Sequence, residues 1–247
     1  MKTATPDLSL SKFLALCGEA SRRHAVDLIR EGAVSVNGTV ELNPAARVSE
    51  QDTILCRGRL LSIPAERHYI MLNKPRGYVC TSEDPHARKK ALDLIRLPDS
   101  PRLFSAGRLD KDSEGLILFS DDGDFVHTLT HPGNGIRKIY EVSMEHPLSP
   151  RDIQRMLHGI KSGTDLLRAL RIEPVTDHKY RFVLGEGKNR EIRRMAEAVG
   201  NEAVRLRRVA IGSLKLGALP CGSWRPLSPK DRALALRNPD PEEASPR

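Results

Sequence analysis

The stretch Val34-Ser35-Val36-Asn37-Gly38-Thr39-Val40-Glu41-Leu42 constrains the fold of this chain most tightly. Apolar residues alternate on both sides of Asn-Gly, the pair that best accepts the two left-handed positions of a two-residue hairpin turn. The segment is therefore predicted as an antiparallel hairpin. Upstream, Leu10, Phe13, Leu14 and Cys17 recur at the spacing of one helix face, and Gly18 can end that helix. Ser21 is placed to cap a second helix, which carries Ala25, Leu28 and Ile29 inward and stops at Gly32. Residues 8–60 are thus expected to form a helix–helix–strand–strand unit with a small core of its own.

The pattern changes after a predicted linker over 57–68, which contains Arg57-Gly58-Arg59 and Pro64. Short apolar runs follow, among them Tyr69–Leu72, Leu116–Phe119, Tyr140–Met144 and Tyr180–Leu184, with helical stretches near 150–160 and 190–199 between them. Residues 66–232 are predicted as a mixed α+β domain rather than a repeating βαβ unit. Residues 233–247, which hold three prolines, are expected to be a disordered tail.

Charge narrows the function. Forty Lys and Arg stand against 32 Asp and Glu, a formal net charge of +8, which points to a polyanionic partner, nucleic acid first. No stretch approaches the roughly 18 apolar residues of a membrane span, and the polar N-terminus lacks the form of a signal peptide. The four cysteines are scattered and form no Cys-x-x-Cys pair, so reduced thiols in a cytoplasmic protein are expected, with no metal cluster. The excess charge is uneven. Residues 1–62 hold eight Lys and Arg against seven Asp and Glu, whereas residues 181–216 hold nine against four. In the latter stretch Arg190, Arg194, Arg205, Arg207 and Arg208 could line a track for a nucleic-acid backbone.

In the first unit, Arg22 and Arg23 follow Ser21 in the opening turn of the second helix, where free backbone N–H groups and two guanidinium groups can take a phosphate. Lys12 and Arg30 could extend the patch. The run Leu10–Ala15, then Gly18-Glu19-Ala20-Ser21-Arg22-Arg23, Leu28–Gly32 and Val34–Gly38 resembles the S4 RNA-binding domain, with Ser9-Leu10 standing where family members often carry Arg-Leu. The resemblance implies binding of structured RNA by Lys12, Arg22, Arg23 and Arg30.

The segment Gly107-Arg108-Leu109-Asp110-Lys111-Asp112-Ser113-Glu114-Gly115-Leu116 gathers three carboxylates in five residues. A calcium loop fails as an explanation, because Asp121 replaces the bidentate Glu and no helices flank the segment. Gly185-Glu186-Gly187-Lys188 meets neither the P-loop nor the dinucleotide-binding spacing. A solvated acidic turn and a nucleophilic aspartate beside arginine remain. Four ordered segments bear on the choice: Asn73-Lys74-Pro75-Arg76-Gly77, the Asp110 segment with Gly115–Leu118, Arg137-Lys138-Ile139-Tyr140-Glu141-Val142, and Glu186–Met195. Together they resemble the RNA pseudouridine synthases, and most closely their RsuA/RluB branch, which modifies ribosomal RNA; the resemblance runs from residue 8 to about 230.

That resemblance implies an S4 unit followed by a mixed, largely antiparallel-sheet catalytic domain, acting as an isomerase on ribosomal RNA or a ribosome assembly intermediate. It implies Asp110 as the catalytic aspartate, Arg193 as its cationic partner and Tyr140 as the platform for a flipped base. Arg108, Leu109, Lys138, Arg190, Ile192 and Arg194 would bind the substrate around them. Detaching uracil, turning it and rejoining it through carbon needs no redox step, so no cofactor and no metal are expected. A monomer is expected as well. Met71–Cys80 leans toward the enzymes of the small ribosomal subunit and Glu186–Pro226 toward those of the large one, with a slight balance for the large subunit. A ribosome-assembly factor that binds RNA without catalysis is the competing reading.

Overall fold

In the computed structural model of the chain, residues 7–49, 51–80, 89–98 and 101–239 are described. They fall into two compact units that divide between His68 and Tyr69, the first also taking in short pieces at 101–102 and 121–123. The predicted tail beyond residue 239 lies outside the described residues.

The N-terminal unit runs β1 (Leu8–Ser9), α1 (Leu10–Leu16), α2 (Arg22–Arg30), β2 (Val34–Val36), β3 (Thr39–Val40), β4 (Arg47–Val48), β5 (Ile54–Cys56) and β6 (Arg59–Leu60). Ser9 and Ser21 cap the two helices, their hydroxyls accepting from Lys12 N–H at 3.4 Å and His24 N–H at 3.2 Å. Such caps contribute about 1 kcal/mol each. Leu10, Phe13, Leu14, Ala25, Leu28 and Ile29 are buried together against Val34, Ile54 and Cys56. The hairpin turns at Asn37 and Gly38, with φ of 52° and 87°. The Asn37 side chain also accepts from Thr53 N–H and donates to Asp52, tying the turn to β5. The predicted linker begins later than expected. Arg57 and Gly58, also at positive φ, form a second hairpin turn that pairs β5 with β6 in a four-stranded sheet ordered β3-β2-β5-β6. Arg-Gly lacks the Asn-Gly signature, and Gly supplies one of the two left-handed positions.

The second unit contains β7 (Tyr69–Lys74), β8 (Phe104–Ser105), β9 (Glu114–Ser120), α3 (Gly123–Thr130), β10 (Lys138–Met144), α4 (Pro150–His158), β11 (Ile160–Ser162), β12 (Asp165–Leu167), β13 (Arg171–Thr176), β14 (Lys179–Leu184), α5 (Glu191–Ala198), β15 (Ala203–Ile211), β16 (Leu214–Lys215), β17 (Trp224–Pro226) and α6 (Pro229–Leu236). Its main sheet is ordered β13-β14-β10-β15-β9-β7-β17, and every pairing along it is antiparallel except the short β9–β15 contact. The fold is mixed α+β with a largely antiparallel sheet.

Alternation along the central strands feeds two cores. Ile70, Leu72, Ile117 and Phe119 face one layer, with Val142, Met156, Phe182 and Met195; Met71, Leu116 and Leu118 face the other, with Phe125, Leu129, Ile211 and Ala235. Each fully buried Leu or Ile stabilises the fold by about 1.5–3 kcal/mol. Residues 233–239 are not the start of a disordered tail. Ala235 is buried in α6, and Asn238 accepts from Arg137 N–H at 2.8 Å and donates to the Gly135 carbonyl at 3.0 Å. Backbone groups more than 100 residues distant in sequence order this end, which local composition cannot reveal.

Candidate active site

Asp110 stands between β8 and β9 in a turn closed by Ser113 N–H donating to the Asp110 carbonyl at 3.0 Å. The loop around it has few neighbours in a sheet or helix, so its carbonyls find other donors. Lys74, at the end of β7, is fully buried; its Nζ donates to the carbonyl of Ser113 at 2.7 Å and of Pro75 at 3.0 Å. Burial pushes the Lys74 ammonium below its usual range, while Cys80, Asp110 and Asp112 nearby act in the opposite direction. Gly77 N–H donates to the Lys111 carbonyl at 2.7 Å. The Asn73–Gly77 segment therefore meets the Asp110 loop through one side chain and one backbone amide. Arg208, buried in β15, donates from Nε to the Leu116 carbonyl at 2.7 Å and from Nη1 to the Arg108 carbonyl at 3.4 Å.

One cavity brings together Arg108, Leu109, Asp110, Tyr140, Arg190 and Ile192, which come from three separate stretches of chain. Tyr140 sits in β10 opposite Phe182 and Arg208 and is 7% exposed. Ile192, on the first turn of α5, supplies an apolar wall. Arg190 precedes α5 in the left-handed conformation, with φ of 47°, and its guanidinium approaches Glu197 at 3.8 Å.

Three expected site residues have other positions. Arg193 makes no ion pair with Asp110 among the described residues. Its Nη1 donates to the Ala203 carbonyl at 2.5 Å and its Nη2 to the Asp112 carbonyl at 3.4 Å. It thus sits behind the loop, one helix position away from the cavity-lining Ile192. Arg194 does not face the cavity; it ties α5 to the β11–β12 hairpin. It donates to Ser162 Oγ at 3.1 Å, to Asp165 at 2.8 Å, and to the Ser162 and Asn189 carbonyls. Lys138 shares the strand face of Tyr140 but does not line the cavity. Burial, with Arg208 beside it, lowers its pKa to about 8 against the pull of Glu191. Of the other arginines in the basic stretch, Arg205 pairs with Glu114 at 2.6 Å and Arg208 is inside the protein.

The cavity also takes in Ser113, Leu184, Lys188 and Glu191. Ser113, Lys188 and Glu191 lie within the motif segments, which do not single them out, and Leu184 is marked only by its place in β14. Ser113 Oγ, Arg193 Nε and Arg208 Nη2 are buried with no hydrogen-bond partner among the described residues. Such orphans are rare, and each costs about 1–3 kcal/mol; all three belong to side chains that form or hold the Asp110 loop. Among the described residues no three His, Cys, Asp or Glu side chains gather as metal ligands would, and no helix is long and apolar enough to cross a membrane.

In the N-terminal unit, Arg22 and Arg23 are exposed in the first turn of α2, and Lys12 is half-buried on α1. Arg30 is exposed at the other end of α2, about two turns away.

Residues 68–198 match the family described as RNA pseudouridylate synthase, and residues 9–54 match the S4 domain. The chain belongs to the RNA pseudouridylate synthase family. A synthase of Aquifex aeolicus named as an uncharacterized RNA pseudouridine synthase is 35% identical over 227 residues, covering 91% of this chain and 94% of that protein. Ribosomal small subunit pseudouridine synthase A of Escherichia coli (strain K12) is 34% identical, covering 92% and 99%. A solved structure described as a pseudouridylate synthase superposes with a TM-score of 0.68 at 32% identity, covering 92% and 99%. The cavity thus holds an aromatic ring, an apolar wall, a carboxylate and guanidinium groups.

Proposed function

We propose that this synthase isomerises a uridine of small-subunit ribosomal RNA to pseudouridine, with Asp110 as the catalytic aspartate. The convergence of Asp110, Tyr140, Ile192 and Arg190 on one cavity carries the reading. The N1–C1′ bond breaks, the uracil turns, a C5–C1′ bond forms, and the proton leaves C5 while N1 gains one. Tyr140 supplies a flat surface against which the detached base can turn, and Ile192 keeps the base from leaving sideways. Asp110 acts on the nucleotide through its carboxyl group. Arg193 serves through the loop that carries Asp110, and Arg190 takes a backbone phosphate at the rim. Arg22 and Arg23 on α2 hold structured RNA.

The slight balance of the sequence toward the large subunit has no support among the named relatives. The Escherichia coli relative carries a small-subunit name over nearly its whole length, and the target is assigned accordingly. The test is tritium release from RNA labelled at uridine C5. Wild-type protein should release tritium from small-subunit ribosomal RNA, and Asp110→Asn should release none while keeping RNA affinity within a few fold. An active Asp110→Asn variant removes the assignment. A wild-type protein that binds ribosomal RNA but releases no tritium from the RNA of either subunit is an RNA-binding assembly factor instead.

A further inference from the structure

We propose that Cys80 is a positioning residue for the catalytic loop, holding the backbone at Leu109 so that Asp110 faces the cavity at a fixed angle. The Cys80 sulfur accepts from Leu109 N–H at 3.3 Å, and the thiol donates to the Leu109 carbonyl at 3.2 Å. One side chain thereby satisfies both backbone groups of the residue immediately before Asp110. A paired β-strand would do the same, and no strand is present there. Leu109 is 6% exposed and lines the cavity, so its two backbone groups have little water to turn to if the thiol is lost.

The chemistry suits a thiol and not a thiolate. A thiolate could accept from the amide but would repel the carbonyl. Burial pushes the Cys80 pKa up, which keeps the donor proton in place. The surroundings fix the sulfur in turn. Val79, its chain neighbour, pairs its N–H with the Lys89 carbonyl at 3.0 Å, and Ala91 N–H returns to the Val79 carbonyl at 2.8 Å. Lys74 and Arg208 hold the loop on the other side of Asp110, through the Ser113 and Leu116 carbonyls. Cys80 is the handle on the upstream side, where those two reach only as far as a 3.4 Å contact to the Arg108 carbonyl. An error of a few tenths of an ångström at Leu109 would be passed directly to the Asp110 carboxylate, and catalysis falls steeply with such misplacement.

This inference rests on the assignment of Asp110 above, and the experiment separates the two. Cys80→Val keeps the site filled with a slightly larger apolar side chain and removes both hydrogen bonds; Cys80→Ser keeps a donor and an acceptor on a shorter arm. Both are assayed in the full chain by tritium release, with RNA affinity, thermal unfolding and Asp110→Asn measured alongside. Cys80→Val should lower kcat by about 10-fold or more with KM and RNA affinity nearly unchanged, together with a lower melting temperature from the two orphaned Leu109 backbone groups, and Cys80→Ser should recover part of the rate. A Cys80→Val enzyme with wild-type kcat overturns the proposal, provided Asp110→Asn is inactive. Rate losses in both variants that are matched by equal losses of RNA affinity, with kcat at saturating RNA unchanged, also overturn it, because they report binding and not loop position. If Asp110→Asn is active, the assignment of Asp110 itself has failed.

Discussion

A Cβ atom on Gly115 would lie 2.3 Å from the carbonyl oxygen of Arg208, with φ at Gly115 of +105°. The two backbones meet where β9 pairs in parallel with β15, immediately after the Asp110 loop. Gly115→Ala has both a steric clash with backbone and a backbone conformation that L-residues rarely adopt. The variant should be destabilised by about 3 kcal/mol or more in urea unfolding. A loss below about 1 kcal/mol would show that the strands separate easily there.

Arg190 and Arg194 lie one helical turn apart, but only Arg190 lines the cavity; Arg194 spends its donors on Ser162, Asp165 and two carbonyls. Removing a phosphate contact lowers the salt dependence of RNA binding by close to one counterion. Arg190→Ala should weaken RNA binding and flatten the plot of log K against log salt. Arg194→Ala should leave that slope intact and lower the melting temperature, by loss of about 1–3 kcal/mol of charge-assisted hydrogen bonding. Equal slopes for the two variants would remove the distinction.

Lys138 makes stability depend on pH. Its pKa is lowered from 10.5 to about 8, so between those values the unfolded chain binds more protons than the folded one and stability rises with pH. Below pH 8 the half-buried ammonium is charged in both states and its partial burial opposes folding. Lys138→Met should therefore melt higher than wild type at pH 7, with the gap closing as pH approaches 10.5. A gap that is constant across this range would rule out the buried charge as its source.

Arg22 and Arg23 should act on affinity and not on the chemical step. The double variant Arg22→Ala, Arg23→Ala should raise the concentration of RNA needed for half-maximal rate by about 10-fold, because two phosphate contacts are removed. The rate at saturating RNA should stay within about two-fold of wild type. A fall in the saturated rate with unchanged affinity would contradict a binding role.

Much of the fold is legible in short stretches of sequence. Ser9 and Ser21 cap helices, Asn37-Gly38 turns a hairpin, and α4 and α5 lie within two residues of the spans their periodicity predicts. These features depend on neighbours a few residues away. The Arg57-Gly58 turn was less visible because its first residue is not one that favours the left-handed region. The order at residues 233–239 was invisible because Asn238 is held by residues 135 and 137.

By itself, the sequence determined the family, the two-unit organisation of motifs and the segments that meet at the cavity, because each motif is a local pattern of residue types. Tertiary structure alone decided the fate of the arginines. Arg190, Arg193, Arg194 and Arg208 are indistinguishable as charges along the chain. One lines the cavity, one backs the Asp110 loop, one bolts a hairpin to a helix, and one is sealed in the sheet. The partners of the last three are a carboxylate, a hydroxyl and backbone carbonyls up to 100 residues distant. A guanidinium on a flexible stem reaches whichever of these the strand register and helix phase bring within hydrogen-bond distance, and that proximity exists only once the whole sheet has formed.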